Sequence, residues 1–507
     1  MTAAPSAGDR HVIPRWRSLA QTIVAGEFAA GPQRALTSAA EFGLLRAESD
    51  WRGTQTVSYA SEFVGAALVL GVPERAEQAA EFLAESQHST STRALAGAAL
   101  NRQHSGQIEF MTVTDSVVDS LPTQIAALKI VVNRDPRQVV AWLDLARMYT
   151  TLGRIGQAAR ALHIAVSLAP HNRFVLRSSV AFHSHIGDHQ RAYELVRNHP
   201  ATRYDPWLLA ADLAATGEAG GRQVNVRHAR SLIESGTFAP LAISELASEL
   251  GSMEMTASSK RAKRLFATAM QDPTENAGAQ VEWAVRSEPR LRTWVKERVH
   301  PGEAAARHAE QLRDWAQAAR HGEFWLNDQP FSIDAGAFSS YAAAIAGDYR
   351  RAAQLAEASL RANPESKILI NNLAYALIEA GELDRARDHL SKVPRDEDAG
   401  DDDAAIAATR GLLEIRGGNH TEGARLYRLA IERARAANSR SLEAQAWIMF
   451  ALEMVSLGGG EGAIQQASNS AKGLTEPAVQ ELLARLIKVS TGPRSEAADF
   501  IEPVTIG

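Results

Sequence analysis

Apolar residues recur every three or four positions along much of this chain. Between Val139 and Asn172, Trp142, Leu145, Ala146 and Tyr149 stand at i, i+3, i+4 and i+7, one apolar stripe of an α-helix. Gly153 follows at the point where a helix would close on a residue of left-handed conformation. Ala158, Leu162 and Ala165 form a second stripe, and Pro170 stops it. Small side chains at Ala146 and Ala158 let two antiparallel helices approach closely. The same residue types then return 34 positions later: Gly153 as Gly187 and Ala158 as Ala192, and further on Gly347 as Gly381 and Ala352 as Ala386. A fixed helical period of this length predicts an all-α fold, an α-solenoid of stacked antiparallel helix pairs.

The unit at 139–172 resembles the tetratricopeptide repeat family, which implies that the helix pairs wind into a right-handed superhelix. Trp142, Leu145, Tyr149, Ala158, Leu162, Ala165 and Pro170 all stand where that family's signature has the same or an equivalent residue, and Ala146 replaces its glycine. The next unit, Arg173 to His199, keeps Leu176, Gly187, Ala192 and Val196 in register, with His183 in place of the tyrosine. From Ile333 to Pro394 the pattern repeats twice through Gly347, Tyr349, Ala352, Leu373, Ala374, Leu377, Gly381, Ala386 and Leu390. Two longer units follow, one on Gly411, Gly418, Gly423, Tyr427 and Ala430, the other on Trp447, Phe450, Ala451, Gly458, Ala463 and Ala467. A last amphipathic stretch, Pro477 to Val489, has the pattern of a helix capping the open end of a solenoid.

These readings divide the chain into a flexible tail over 1–12, a helical region of degenerate repeats over 13–135, and a repeat pair over 136–200. Degenerate helical repeats over 201–332, a repeat array over 333–476, a capping helix over 477–490 and a flexible tail over 491–507 complete it. Residues 108–118, IEFMTVTDSVV, are β-branched and are expected to be extended or irregular. The acidic run from Asp396 to Asp403 is expected to be a solvated loop between repeats.

Composition narrows the chemistry. The chain of 507 residues has no cysteine, which excludes disulfides, thiolate metal sites and cysteine nucleophiles. Its net charge of -5 disfavours direct nucleic-acid binding, which calls for a basic excess. The N-terminal residues, MTAAPSAGDRHVIPRWR, lack the apolar core of a signal peptide, and no apolar run is long enough to span a membrane, so a cytoplasmic protein is expected. The densest ligand-type cluster is His183, His185, Asp188 and His189, but helical residues two apart diverge, so no metal is expected there. Gly458, Gly459, Gly460 and Gly462 lack the lysine and preceding strand of a phosphate loop and are read as a turn. No catalytic motif appears, so no enzyme and no cofactor are expected.

The family resemblance implies that the first helix of each pair lines a concave groove that holds a partner protein or peptide. Carried onto this sequence, it assigns partner contacts to Arg147, Arg177, Tyr341, Asn371, Asn372 and Tyr375, with Asn372 where the family often has an asparagine bonding a peptide backbone. On the two last units the same positions are apolar, Leu412, Ile415, Ile448 and Leu452, and are expected to be covered by a partner helix or by the chain's own C-terminal segment. The implied function is a non-catalytic scaffold or adaptor. By analogy with long bacterial members, its partner would be a regulator, a nuclease or a defence effector. The alternatives are a regulatory sensor whose superhelix changes curvature on binding a peptide or small ligand, and an enzyme with an unfamiliar site in 13–135 or 201–332.

Overall fold

The turn after each first helix shows why the glycine period exists. The helix Val139–Thr151 ends with Gly153 at φ +68°; Gly153 N–H bonds the Thr150 carbonyl at 2.9 Å and Arg154 N–H bonds that of Tyr149 at 2.8 Å. This pair of bonds closes a helix end only if the residue between them is left-handed, a conformation that a side chain resists. The chain then turns directly into Ile155–Leu168, which packs back against its partner. Where the glycine is followed by aspartate, the aspartate caps the second helix: Asp348 accepts from Arg351 N–H at 3.0 Å and Asp188 from Arg191 N–H at 3.2 Å.

The computed structural model describes residues 10–24, 38–85, 90–100, 115–255, 257–288, 302–393 and 401–491. Among them the regular structure is helical throughout, with no strand, and no helix is long and apolar enough to cross a membrane. The chain divides into two compact units, one within Asp9–Ala304 together with Asn327–Phe331, the other within Ala305–Leu326 and Ser332–Gly507.

In the first unit, the region of blurred periodicity is made of helices. Ser38–Gly53, Val57–Val69, Glu77–Glu85 and Thr90–Ala99 bury Leu44, Trp51, Phe63, Val64, Leu83 and Leu95 in one core. After the pairs Val139–Thr151 with Ile155–Leu168 and Arg173–His185 with His189–Arg197 come Pro206–Glu218 with Val226–Glu234 and Pro240–Glu254 with Ser259–Ala269, then Glu275–Ser287. Proline at the first helical position starts Pro206–Glu218 and Pro240–Glu254, where its missing N–H costs nothing. The 108–118 stretch is partly helical instead of extended: Asp115–Val118 open the helix Asp115–Arg134, and 108–114 lie outside the described residues.

The second unit holds the pairs Ile333–Ile345 with Tyr349–Leu360, Lys367–Glu379 with Leu383–Ser391, Asp401–Arg416 with His420–Ala436 and Arg440–Ser456 with Glu461–Ala471, closed by Pro477–Ser490. A further pair, Glu303–Gln311 and Trp315–Asp328, precedes them, its residues 305–326 belonging to this unit and its two ends, Glu303–Ala304 and Asn327–Asp328, to the first. Its turn has the same closure, Arg313 N–H to Glu310 O at 2.9 Å and Asp314 N–H to Ala309 O at 2.9 Å, with Arg313 itself left-handed at φ +58°. Residue 313 stands 34 positions before Gly347, so the period continues there without its glycine. In the acidic run, Asp401–Asp403 begin a helix and are not loop, while 396–400 lie outside the described residues. Gly458, Gly459 and Gly460 make the turn between Arg440–Ser456 and Glu461–Ala471, and Gly462 lies in the helix that follows.

Candidate functional site

The first unit folds around part of its own N-terminus. Residues 10–18 form neither helix nor strand, yet Val12 and Trp16 are 0% and 1% exposed, so these residues do not belong to a free tail. They run along a face built by the first helices of successive pairs. Helices Val139–Thr151, Arg173–His185, Pro240–Glu254 and Glu275–Ser287 supply Arg147, Phe182, Glu249, Asn276 and Gln280, and Asp328, Gln329 and Phe331 come from the 327–331 stretch that packs with this unit.

Side chains of this face bond the segment's main chain. Gln280 Nε2 donates to the Arg10 carbonyl at 2.6 Å and Asn276 Nδ2 to that of Ile13 at 2.7 Å. Glu249 Oε2 accepts from Val12 N–H at 2.8 Å, Gln329 Oε1 from Trp16 N–H at 3.3 Å, and Arg147 Nε donates to the Trp16 carbonyl at 3.0 Å. A segment with no secondary structure of its own has its buried amides satisfied by the scaffold.

The side chains are read as well. Arg10 donates to Gln280 Oε1 at 2.6 Å and Glu303 Oε2 at 2.9 Å, and His11 Nδ1 lies 2.8 Å from Glu249 Oε1. The Trp16 indole stands edge-on to Phe182, with ring centres 5.8 Å apart, and tilted against Phe331 at 5.4 Å. Arg15 reaches Glu303 at 2.9 Å and Asp328 at 3.1 Å, while Arg17 grips both oxygens of Asp328, Nε to Oδ1 at 2.5 Å and Nη2 to Oδ2 at 3.1 Å. At Gly217 the scaffold approaches the segment so closely that an added Cβ would lie 2.3 Å from the His11 ring.

The electrostatics follow from this pairing. Burial alone would raise the Asp328 carboxyl, but Arg17 and Arg15 outweigh it and bring it down to about 2. Glu275, deeply buried and 3.8 Å from Arg15, is pushed up to about 7 by burial, with Arg15 opposing. Arg147 is lowered by burial, and Arg15 is raised because Glu275, Glu303 and Asp328 overcome its own desolvation.

The other sequence-assigned contacts lie elsewhere. Arg177 is buried, with Nη2 3.0 and 3.2 Å from the Glu245 oxygens and its guanidinium over the Trp207 ring at 4.5 Å. Asn372 donates to the Ala337 carbonyl at 3.0 Å and Ser340 Oγ at 3.1 Å, so its amide bridges neighbouring first helices. Tyr341 packs edge-on against Trp315, Tyr375 against Tyr349, and Asn371 is buried with neither amide atom partnered. Leu412, Ile415, Ile448 and Leu452 are all buried and form no exposed apolar face. The reason is local: Arg440–Ser456 is packed on by Asp401–Arg416, His420–Ala436, Glu461–Ala471 and the capping helix Pro477–Ser490, so the chain covers these positions itself.

The histidine cluster separates as helical geometry requires. His183 faces Asp188 at 3.4 Å, His189 faces Glu218 at 2.9 Å, and His185 packs edge-on against Phe331, where burial brings it down to about 4. Among the described residues no group of three or more histidine, aspartate or glutamate side chains is placed to hold a metal ion.

Residues 343–413 match the family model of the tetratricopeptide repeat. No curated protein matches the sequence. Solved structures with similar helical arrangement include the APC/C hetero-tetramer Cut9–Hcn1, at 11% identity over 93% of this chain and 95% of that one with a TM-score of 0.40. The human IFIT1 dimer with PPP-AAAA is similar at 12% identity over 93% of this chain and 100% of that one, with a TM-score of 0.30. Likenesses this distant carry no partner across.

Proposed function

We infer that this tetratricopeptide-repeat protein is a non-catalytic scaffold that holds a stretch of another polypeptide along the inner face of its first unit. The observation that supports the reading is the binding of residues 10–18. Scaffold side chains bond main-chain groups at Arg10, Val12, Ile13 and Trp16, a mode of recognition suited to a polypeptide without secondary structure. The face also has the anatomy of a specific interface, with a buried aromatic anchor at its centre and charge pairs on either side. A small-ligand or nucleic-acid site finds no comparable support here, since the groups on the face are carboxylates and amides matched to peptide and guanidinium.

The test is affinity purification of the full chain from its native host, comparing Trp16→Ala, which loosens the chain's own segment, with Trp16→Ala/Asn276→Ala/Gln280→Ala. The added pair removes the bonds to the Arg10 and Ile13 carbonyls, together with those from the Arg10 guanidinium, without adding charge. A partner that co-purifies with Trp16→Ala and falls at least roughly tenfold when the pair is added fits losing the partly buried hydrogen bonds that these two amides make. A partner recovered equally by both, with the fold intact by circular dichroism, refutes the reading.

A further inference from the structure

Residues 10–18 are held by two kinds of contact. The main-chain bonds would accept many sequences following the same path. Selection comes from three places: the Arg10 position between Gln280 and Glu303, the Trp16 position between Phe182 and Phe331, and the paired Arg15 and Arg17 positions on Glu303 and Asp328. The grip on Arg17 uses both Nε and Nη2 on the two oxygens of one carboxylate, a geometry that guanidinium offers and ammonium does not. Glu249, Glu275, Glu303 and Asp328 lie buried along the same face, so an acidic segment is rejected and a cationic one drawn in. Gly217 adds a steric signature, leaving room for a ring at the His11 position that any side chain would fill.

We propose that residues 10–18 are an exchangeable internal ligand, and that the face they fill takes from a second protein a non-helical segment with two arginines flanking a tryptophan and a third arginine five residues before that pair. This rests on the reading that the face holds a polypeptide. The chain's own segment then acts as an autoinhibitory occupant. Being tethered, it competes at an effective concentration on the order of millimolar, so a weak or mismatched segment is excluded and only a partner presenting the full set of groups displaces it. The chemistry of the partner is fixed by the scaffold: guanidinium for the buried carboxylates, an indole for the Phe182 and Phe331 rings, and free main-chain N–H and C=O for Glu249, Asn276, Gln280, Gln329 and Arg147.

Hydrogen exchange on the full-length protein tests this, with the peptide DRHVIPRWRS as competitor and its all-lysine counterpart as control. The expected result is slow exchange at Val12 and Trp16 in the protein alone, accelerated at least tenfold by millimolar DRHVIPRWRS and unchanged by the lysine peptide. A second measurement uses a fluorescent DRHVIPRWRS peptide and the full-length Trp16→Ala variant, whose weakened segment should let the peptide bind at least tenfold more tightly than to wild type. Slow exchange that millimolar peptide leaves unchanged, with equal peptide affinity for both proteins, overturns the exchange proposal and makes the segment a fixed strut, while the scaffold reading stands. Equal displacement by the lysine peptide overturns the arginine requirement. Fast exchange at Val12 and Trp16 without any peptide overturns both the proposal and the reading beneath it.

Discussion

Gly217→Ala separates two effects of one methyl group. Gly217 lies in the last turn of Pro206–Glu218, where alanine is the better helix former by about 0.5–1 kcal/mol. An ideal Cβ there would stand 2.3 Å from Cε1, 2.6 Å from Nε2 and 2.7 Å from Nδ1 of His11, well inside contact distance, so the imidazole must leave. It then loses its 2.8 Å contact with Glu249, whose side chain is fully buried. A hydrogen bond to a charged group contributes about 1.5–3 kcal/mol, so local opening of residues 10–12 should rise roughly 10- to 150-fold. The helix gain acts equally on the bound and open forms of the segment and does not offset this. Exchange at Val12 is the assay, since its N–H is bonded to the same glutamate. Gly43→Ala is the control: Gly43 lies in Ser38–Gly53 with nothing within 4 Å of an added Cβ, so it should stabilise the chain and leave Val12 exchange unchanged. If Gly217→Ala leaves Val12 exchange at the wild-type rate, the segment does not lie where the reasoning requires it.

Three further outcomes follow from the same structure. Because burial raises Glu275 to about 7, the stability it confers is complete below its ordinary value of 4.5 and lost as pH rises through about 7; Glu275→Gln should flatten the fall of thermal midpoint across that window, and an unchanged slope would refute the assignment. Arg313→Gly should stabilise the second unit by about 1 kcal/mol by relieving the left-handed arginine, read as a higher thermal midpoint; a lower one would show that the turn is not strained. Ile448→Asp, in a fully buried position, should destabilise the second unit by about 4 kcal/mol or more in denaturant melts, and wild-type stability would mean that this position faces solvent.

Much of the helical framework was legible in the residue pattern. The stripes at Trp142, Leu145 and Tyr149 and at Ala158, Leu162 and Ala165 mark two helices, and the glycine between them marks the turn, because helix periodicity and the left-handed closure are local demands met by local residues. The pair at 303–328 falls in the region expected to hold degenerate helical repeats, but its place in the 34-residue period was blurred because Arg313 occupies the glycine position, and the tertiary packing tolerates a strained residue there. The apolar positions Leu412, Ile415, Ile448 and Leu452 were visible as a stripe, but whether a stripe faces a groove or a neighbouring helix is decided by packing, and here neighbouring helices cover them.

The candidate site was the least legible part. Glu245 and Glu249 stand four apart on a helix with apolar neighbours, as Asn276 and Gln280 do on the next but one, and such buried polar stripes are a signal in principle. Their meaning depended on RHVIPRWR, which has no helical periodicity and no local partner. Glu249 meets His11 across 238 residues of sequence, Glu303 meets Arg10 across 293, and Asp328 meets Arg17 across 311. The sequence alone determined a stack of helix pairs, because each pair satisfies its hydrogen bonds and buries its stripe within a few dozen residues. Only the tertiary structure decided what the face built by the first helices holds, because charge pairing and aromatic packing between distant segments depend on the path of the whole first unit.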